Sequence, residues 1–168
     1  SIDLAVDRDL PVLTSFFTPQ KDTLGLLEQY TQRCSAAGKA SQMAEMPFFR
    51  FLYLSEDRKE AVSYPEKALT WVRDLSTYRR TITAGDEINV DLDHWKTVRT
   101  EHPPSYEQEL ANNVYFCTPD DCVNRISVLQ KNHGIEYFGG SFSFGTMEHK
   151  KVMASMKLFA DHVMPKFK

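Results

Sequence analysis

The chain has 168 residues, with 20 Lys+Arg against 23 Asp+Glu and a formal charge of -3. With 42% hydrophobic, 12% aromatic and 26% charged residues, it has the composition of one folded domain and not of a disordered segment. The weak charge of mixed sign excludes a basic field for nucleic acid or anionic membrane, and no apolar run approaches the ~20 residues of a membrane span.

Residues 1–9 read as the end of a helix, with Ile2, Leu4, Ala5 and Val6 as its apolar positions. Asp3, Asp7, Arg8 and Asp9 in this opening stretch predict no signal peptide. Leu10, Pro11, Val12 and Leu13 then form a short apolar run. Such a run suits a strand buried on both faces of a parallel sheet, with the proline near its start. Thr18 and Pro19 open the next helix as N-cap and first residue, and Gly38 is its stop.

The aromatic-rich run 47–54 is the second strand. A helix begins after Ser55, Glu56 and Asp57 and carries Ala61, Tyr64, Ala68, Trp71, Val72, Leu75 and Tyr78 on one stripe. Pro65 divides its first turns from the main body. Residues 81–116 read as a long loop, apolar-poor and punctuated by Gly85, Pro103 and Pro104, with short helices near 92–98 and 106–111. Thr118, Pro119 and Asp121 are a strong helix start, and Gly134 ends that helix. Residues 135–144 are a third strand running into a glycine-bearing turn. The last helix buries Val152, Met156, Phe159 and Val163 and stops at Pro165. Alternating strands and helices predict right-handed β–α–β crossovers and a parallel sheet with two open edges.

Motifs for nucleotide, dinucleotide and zinc-protease chemistry are absent. The five histidines are scattered, with no pair at metal spacing on one helix face, so no metal is expected. Cys34, Cys117 and Cys122 contain no C-x-x-C pair, which fits buried thiols in a reducing, cytoplasmic compartment. In parallel sheets, sites lie beyond the carboxyl ends of the strands. Those ends here are Ser15-Phe16-Phe17, Ser55-Glu56 and the stretch from Ser141 to Gly145. They supply hydroxyls and flat aromatics without an acid–base pair, which suits holding a planar cofactor that carries the chemistry itself. The same phenylalanines also read as ordinary core, and both readings stay open here.

Several stretches taken in order resemble the carboxyl end of bacterial-luciferase-like flavin-dependent monooxygenases. They are Cys117-Thr-Pro-Asp-Asp-Cys-Val, His133-Gly-Ile-Glu-Tyr-Phe, Ser143-Phe-Gly, and Met153-Ala-Ser-Met-Lys-Leu-Phe-Ala-Asp-His-Val-Met-Pro165. Leu10-Pro-Val-Leu-Thr-Ser15 is similar to the sixth barrel strand of that family. The resemblance implies a (β/α)8 TIM barrel, with residues 1–168 as the part from the helix after strand five through strands six to eight. It implies reduced FMN as cofactor, a separate flavin reductase, O2, and an aldehyde or other small organic substrate. It implies that Ser1 meets the flavin phosphate at a helix start, and that Ser15 and Phe16 lie near the flavin ring. Phe16 stands where luciferase has a tryptophan, so the ring contacts are expected to differ. The family's active-site histidine lies in the amino-terminal half, so no catalytic residue is assigned in this chain. The long segment matches the family's mobile loop, with Lys96, Arg99 and Tyr106 as substrate or lid residues.

Taken alone, the chain is expected to be inactive, and its open barrel edges favour a dimer or other self-association. Two alternatives accompany this reading: a non-catalytic half-barrel remnant, or a deazaflavin-dependent oxidoreductase on the same fold.

Overall fold

The computed structural model describes residues 2–40, 46–83 and 104–167, with side chains described for all of these except 77–83. Ser1, Lys96, Arg99, the expected helix near 92–98 and most of the long segment lie outside the described residues. Helix α1 (Ile2–Asp7) leads through an irregular stretch to α2 (Gln20–Ala36) and strand β1 (Phe48–Leu54). Helices α3 (Arg58–Ser63) and α4 (Glu66–Thr83) follow, divided at Tyr64 and Pro65 as the proline demands. After the undescribed segment come α5 (Tyr106–Asn112), β2 (Tyr115–Cys117) and α6 (Pro119–His133). The described chain closes with β3 (Phe138–Ser141), α7 (His149–Leu158), a π-helical turn (Phe159–Val163) and a 3-10 turn (Met164–Phe167).

The strands form a three-stranded parallel sheet in the order β2-β1-β3. Phe48 to Phe51 of β1 pair with β3, and Leu52 to Leu54 pair with β2. Side chains alternate along β1, so it divides two cores. Phe48, Leu52 and Leu54 pack with Leu27 and Tyr30 of α2 and with Cys122, Ile126 and Leu129 of α6. Phe51 and Tyr53 face the other way, onto Ala68 and Leu69 of α4, Phe116 and Phe144. No described helix is long and apolar enough to cross a membrane.

Local chemistry accounts for several boundaries. Thr118 Oγ1 accepts from the Asp121 N–H at 3.4 Å, Pro119 occupies the first turn, and Gly134 ends α6 in the left-handed region at φ 64°. Gly145 has φ 57°, and a Cβ there would strike the backbone carbonyl of Ala68.

Other expectations are corrected. The stretch 10–13 forms no strand, and Leu10 and Leu13 are 50% and 73% exposed. Burial needs a neighbour on each side, and both edges of β1 are taken by β2 and β3. The stretch is tied down by the Leu10 N–H to the Ala5 carbonyl (2.9 Å), the Tyr30 hydroxyl to the Leu10 carbonyl (3.1 Å), the neighbouring Thr14 Oγ1 to the Pro47 carbonyl (3.4 Å) and the packing of Val12 on the core. Conversely, β2 lies in what read as the end of a loop. Helix α2 starts at Gln20, with Pro19 in extended backbone (ψ 143°) as its cap and no side-chain cap from Thr18. The third strand is four residues long, within the expected 135–144. In α7 the buried residues are Val152, as expected, and Ser155, whereas Met156 is 43% exposed. The π turn that follows inserts one residue into the helical register and returns Val163 to the core.

Candidate functional site

The turn 15–18 stands beside the face of β1 that carries Phe51. It is closed by the Thr18 N–H donating to the Ser15 carbonyl at 3.2 Å, while Ser15 Oγ accepts from the Phe17 N–H at 3.2 Å. Ser15 is exposed, and Phe16 and Phe17 are half-buried. The Phe16 ring lies 4.9 Å from Phe17 and meets Phe51 edge-on at 4.8 Å. Phe51 contacts Phe144 at 4.8 Å, and Phe144 stacks on Phe116 at 5.5 Å. The structure thus brings together the aromatics that the sequence placed at two strand ends, Phe16, Phe17 and Phe144. It joins them to Phe51 and Phe116, which the sequence reading had not singled out for this site.

Two arginines hold that turn. Arg50, fully buried on β1, donates from Nη1 to the Thr18 carbonyl (3.3 Å) and the Phe49 carbonyl (2.9 Å). Its guanidinium lies 4.1 Å over the Phe48 ring, and burial pulls its pKa down to about 10. Its Nε and Nη2 have no hydrogen-bond partner among the described residues. Arg73 of α4 donates from Nη1 to the Phe17 carbonyl at 3.5 Å, and its Nη2 pairs with Glu109 Oε1 of α5 at 2.8 Å. Glu109 is buried. Tyr106, at the start of α5, donates its hydroxyl to the Val62 carbonyl of the α3 segment. Burial pushes its phenol well above the usual value, so it is a neutral anchor in this arrangement.

A second polar group gathers past the carboxyl end of β1. Ser55 Oγ donates to Glu60 Oε2 at 2.9 Å, and the Tyr53 hydroxyl donates to Glu60 Oε1 at 3.2 Å. Lys151 of α7 donates to the same Oε1 and lies 5.7 Å over the Tyr64 ring. The Lys151 and Ser55 hydrogen bonds hold the Glu60 carboxyl below the usual carboxylate range. Burial, reinforced by Glu60, pushes the Tyr53 phenol up. Ser155 Oγ, fully buried, accepts from the Leu54 N–H at 2.8 Å. The cluster is a brace between α3, β1 and α7.

Sequence reasoning missed Arg50, Arg73, Glu109, Glu60 and Lys151. The one local sign was Arg50, a lone charge inside an aromatic and aliphatic strand. Cys117 and Cys122 are buried thiols, and burial beside the other thiol pushes the Cys122 pKa up. No group of three or more metal-ligating side chains occurs among the described residues.

The aromatic cluster also decides how far these residues fit a flavin. Phe51, Phe116 and Phe144 are at most 7% exposed, and their faces are taken up by one another. A planar ring does not enter between rings already packed at these distances. Phe16 and Phe17 are the parts of the cluster that reach the surface, with the Ser15 hydroxyl beside them. Among the described residues, these packed rings leave no slot for a planar ring.

Among the solved structures that share this fold along the whole chain are two monooxygenases. Monooxygenase RslO1 from Streptomyces bottropensis matches with a TM-score of 0.64 at 21% identity, over 100% of this chain and 45% of its own. The oxygenating constituent of 3,6-diketocamphane monooxygenase, from the CAM plasmid of Pseudomonas putida, is a type II Baeyer-Villiger monooxygenase solved in complex with FMN. It matches with a TM-score of 0.64 at 16% identity, over 100% of this chain and 46% of its own. The chain spans less than half the length of either protein. No family model and no curated protein matches the sequence. The class defined is thus a mixed α/β fold with a small parallel sheet, of the kind these monooxygenases contain.

Proposed function

We propose that the chain is the carboxyl-terminal part of a (β/α)8-barrel monooxygenase. In this reading the parent uses reduced FMN and O2 to place one oxygen atom in a small organic substrate. The observation that carries it is the match of the entire chain to two monooxygenases, one of them in complex with FMN. The exposure of Leu10 and Leu13 supports it, because an apolar stretch beside a sheet is what a further strand would cover. Ser15 and Phe16 then form the wall that faces the flavin ring, and Ser1 lies towards its phosphate. Lys96, Arg99 and Tyr106 belong to the segment nearest the substrate. A separate flavin reductase supplies the reduced flavin. The isolated 168 residues do not turn over, because the second wall of the ring site comes from the rest of the barrel.

The test is product labelling. The full-length polypeptide is given a flavin reductase, FMN and 18O2, with a panel of cyclic ketones and aldehydes. The reading predicts one 18O atom in the oxygenated product. Products that form without label, or no product from any substrate when the flavin is reduced, would refute it.

A further inference from the structure

We propose that Arg50 and Arg73 are positioning residues that clasp the turn 15–18 from two sides and so set where Ser15 and Phe16 stand. This rests on the reading above, in which that turn faces the flavin. The carbonyls of two successive residues point at two different arginines: Phe17 O receives Arg73 at 3.5 Å, and Thr18 O receives Arg50 at 3.3 Å. The turn is partly exposed, so water would satisfy its carbonyls at little cost. Instead, a fully buried guanidinium does so from the central strand. The other comes from an arginine whose carboxylate partner, Glu109, is itself buried.

Burying charge is costly, and its best-attested return is a fixed register. The guanidinium fork allows Arg73 to serve the Phe17 carbonyl and Glu109 Oε1 at once through different nitrogens. It also lies 5.9 Å from the Phe17 ring, so both the backbone and the side chain of that residue are held. The position of Phe17 is thereby linked to α5 through the Glu109 pair.

Arg73→Lys separates this role from general stability. A lysine keeps the charge for Glu109 but cannot reach both partners in the same geometry. In the full-length polypeptide, labelled with fluorophenylalanine, three quantities are measured: melting temperature, the 19F signal of Phe17 (assigned by its loss in Phe17→Leu) and FMN affinity. The expected result is a near-wild-type melting temperature, a shifted Phe17 signal and FMN binding weakened about tenfold. Arg50→Lys is a second variant that should shift the same signal from the other side. Unchanged FMN affinity in folded Arg73→Lys overturns the proposal and leaves the functional reading standing. Absence of FMN binding by the wild type overturns the functional reading. The fluorine signal then decides the clasp alone: a shift supports it, and an unmoved signal overturns it.

Discussion

The Ser155 hydroxyl of α7 has one clear task. Its Oγ accepts the Leu54 N–H at 2.8 Å, at the carboxyl end of the central strand, where both residues are within 1% of full burial. Ser155→Ala removes the acceptor and less than one methyl's worth of volume, so no sizeable cavity adds to the effect. What remains is a buried N–H with no partner, which costs about 1–3 kcal/mol. A domain of this size is stable by roughly 5–15 kcal/mol, so the change is readily measured. Urea unfolding followed by circular dichroism should give a lower midpoint with an unchanged slope. A Ser155→Ala protein within about 0.3 kcal/mol of wild type would refute the reasoning, since a surface substitution does as much.

Two further outcomes follow from the geometry. Gly145→Ala places a side chain at φ 57° against the Ala68 carbonyl and should cost more than about 1–2 kcal/mol, read as a fall in the urea midpoint; an unchanged midpoint would contradict the close approach. The Glu60 carboxyl has its folded pKa lowered by Lys151 and Ser55, so its contribution is present above the unfolded value of about 4.3 and is lost as the pH falls through the folded value. The gap in melting temperature between wild type and Glu60→Gln should therefore narrow with acid below that unfolded value, and a pH-independent gap would argue against the brace.

What was legible in the sequence was what local chemistry decides. Thr118, Pro119 and Gly134 specify α6 through a cap, a preset φ and a left-handed stop, none of which needs a distant partner. The aromatic run of β1 was equally plain. Leu10 to Leu13 misled because an apolar run specifies a preference for burial and not the neighbour that provides it. Strand β2 was hidden by its three residues, too few to show a period of two.

For the site, Phe16 and Phe17 were read as the end of a strand over 10–13, but no strand forms there, and they meet Phe144 only through Phe51. The sequence did not show the partners. Arg73 reaches Phe17 across 56 positions, and Lys151 reaches Glu60 across 91. Such pairs are created by packing and leave no spacing signal in the chain.

In the proposed function the turn carrying Ser15 and Phe16 holds the flavin. Anaerobic equilibrium titration of the full-length polypeptide with reduced FMN tests it most directly, alongside Phe16→Ala in the same polypeptide. The account predicts saturable binding of one FMN per polypeptide, weakened in Phe16→Ala while the melting temperature stays close to wild type. No saturable binding by the wild type, or identical binding by folded Phe16→Ala, would contradict it.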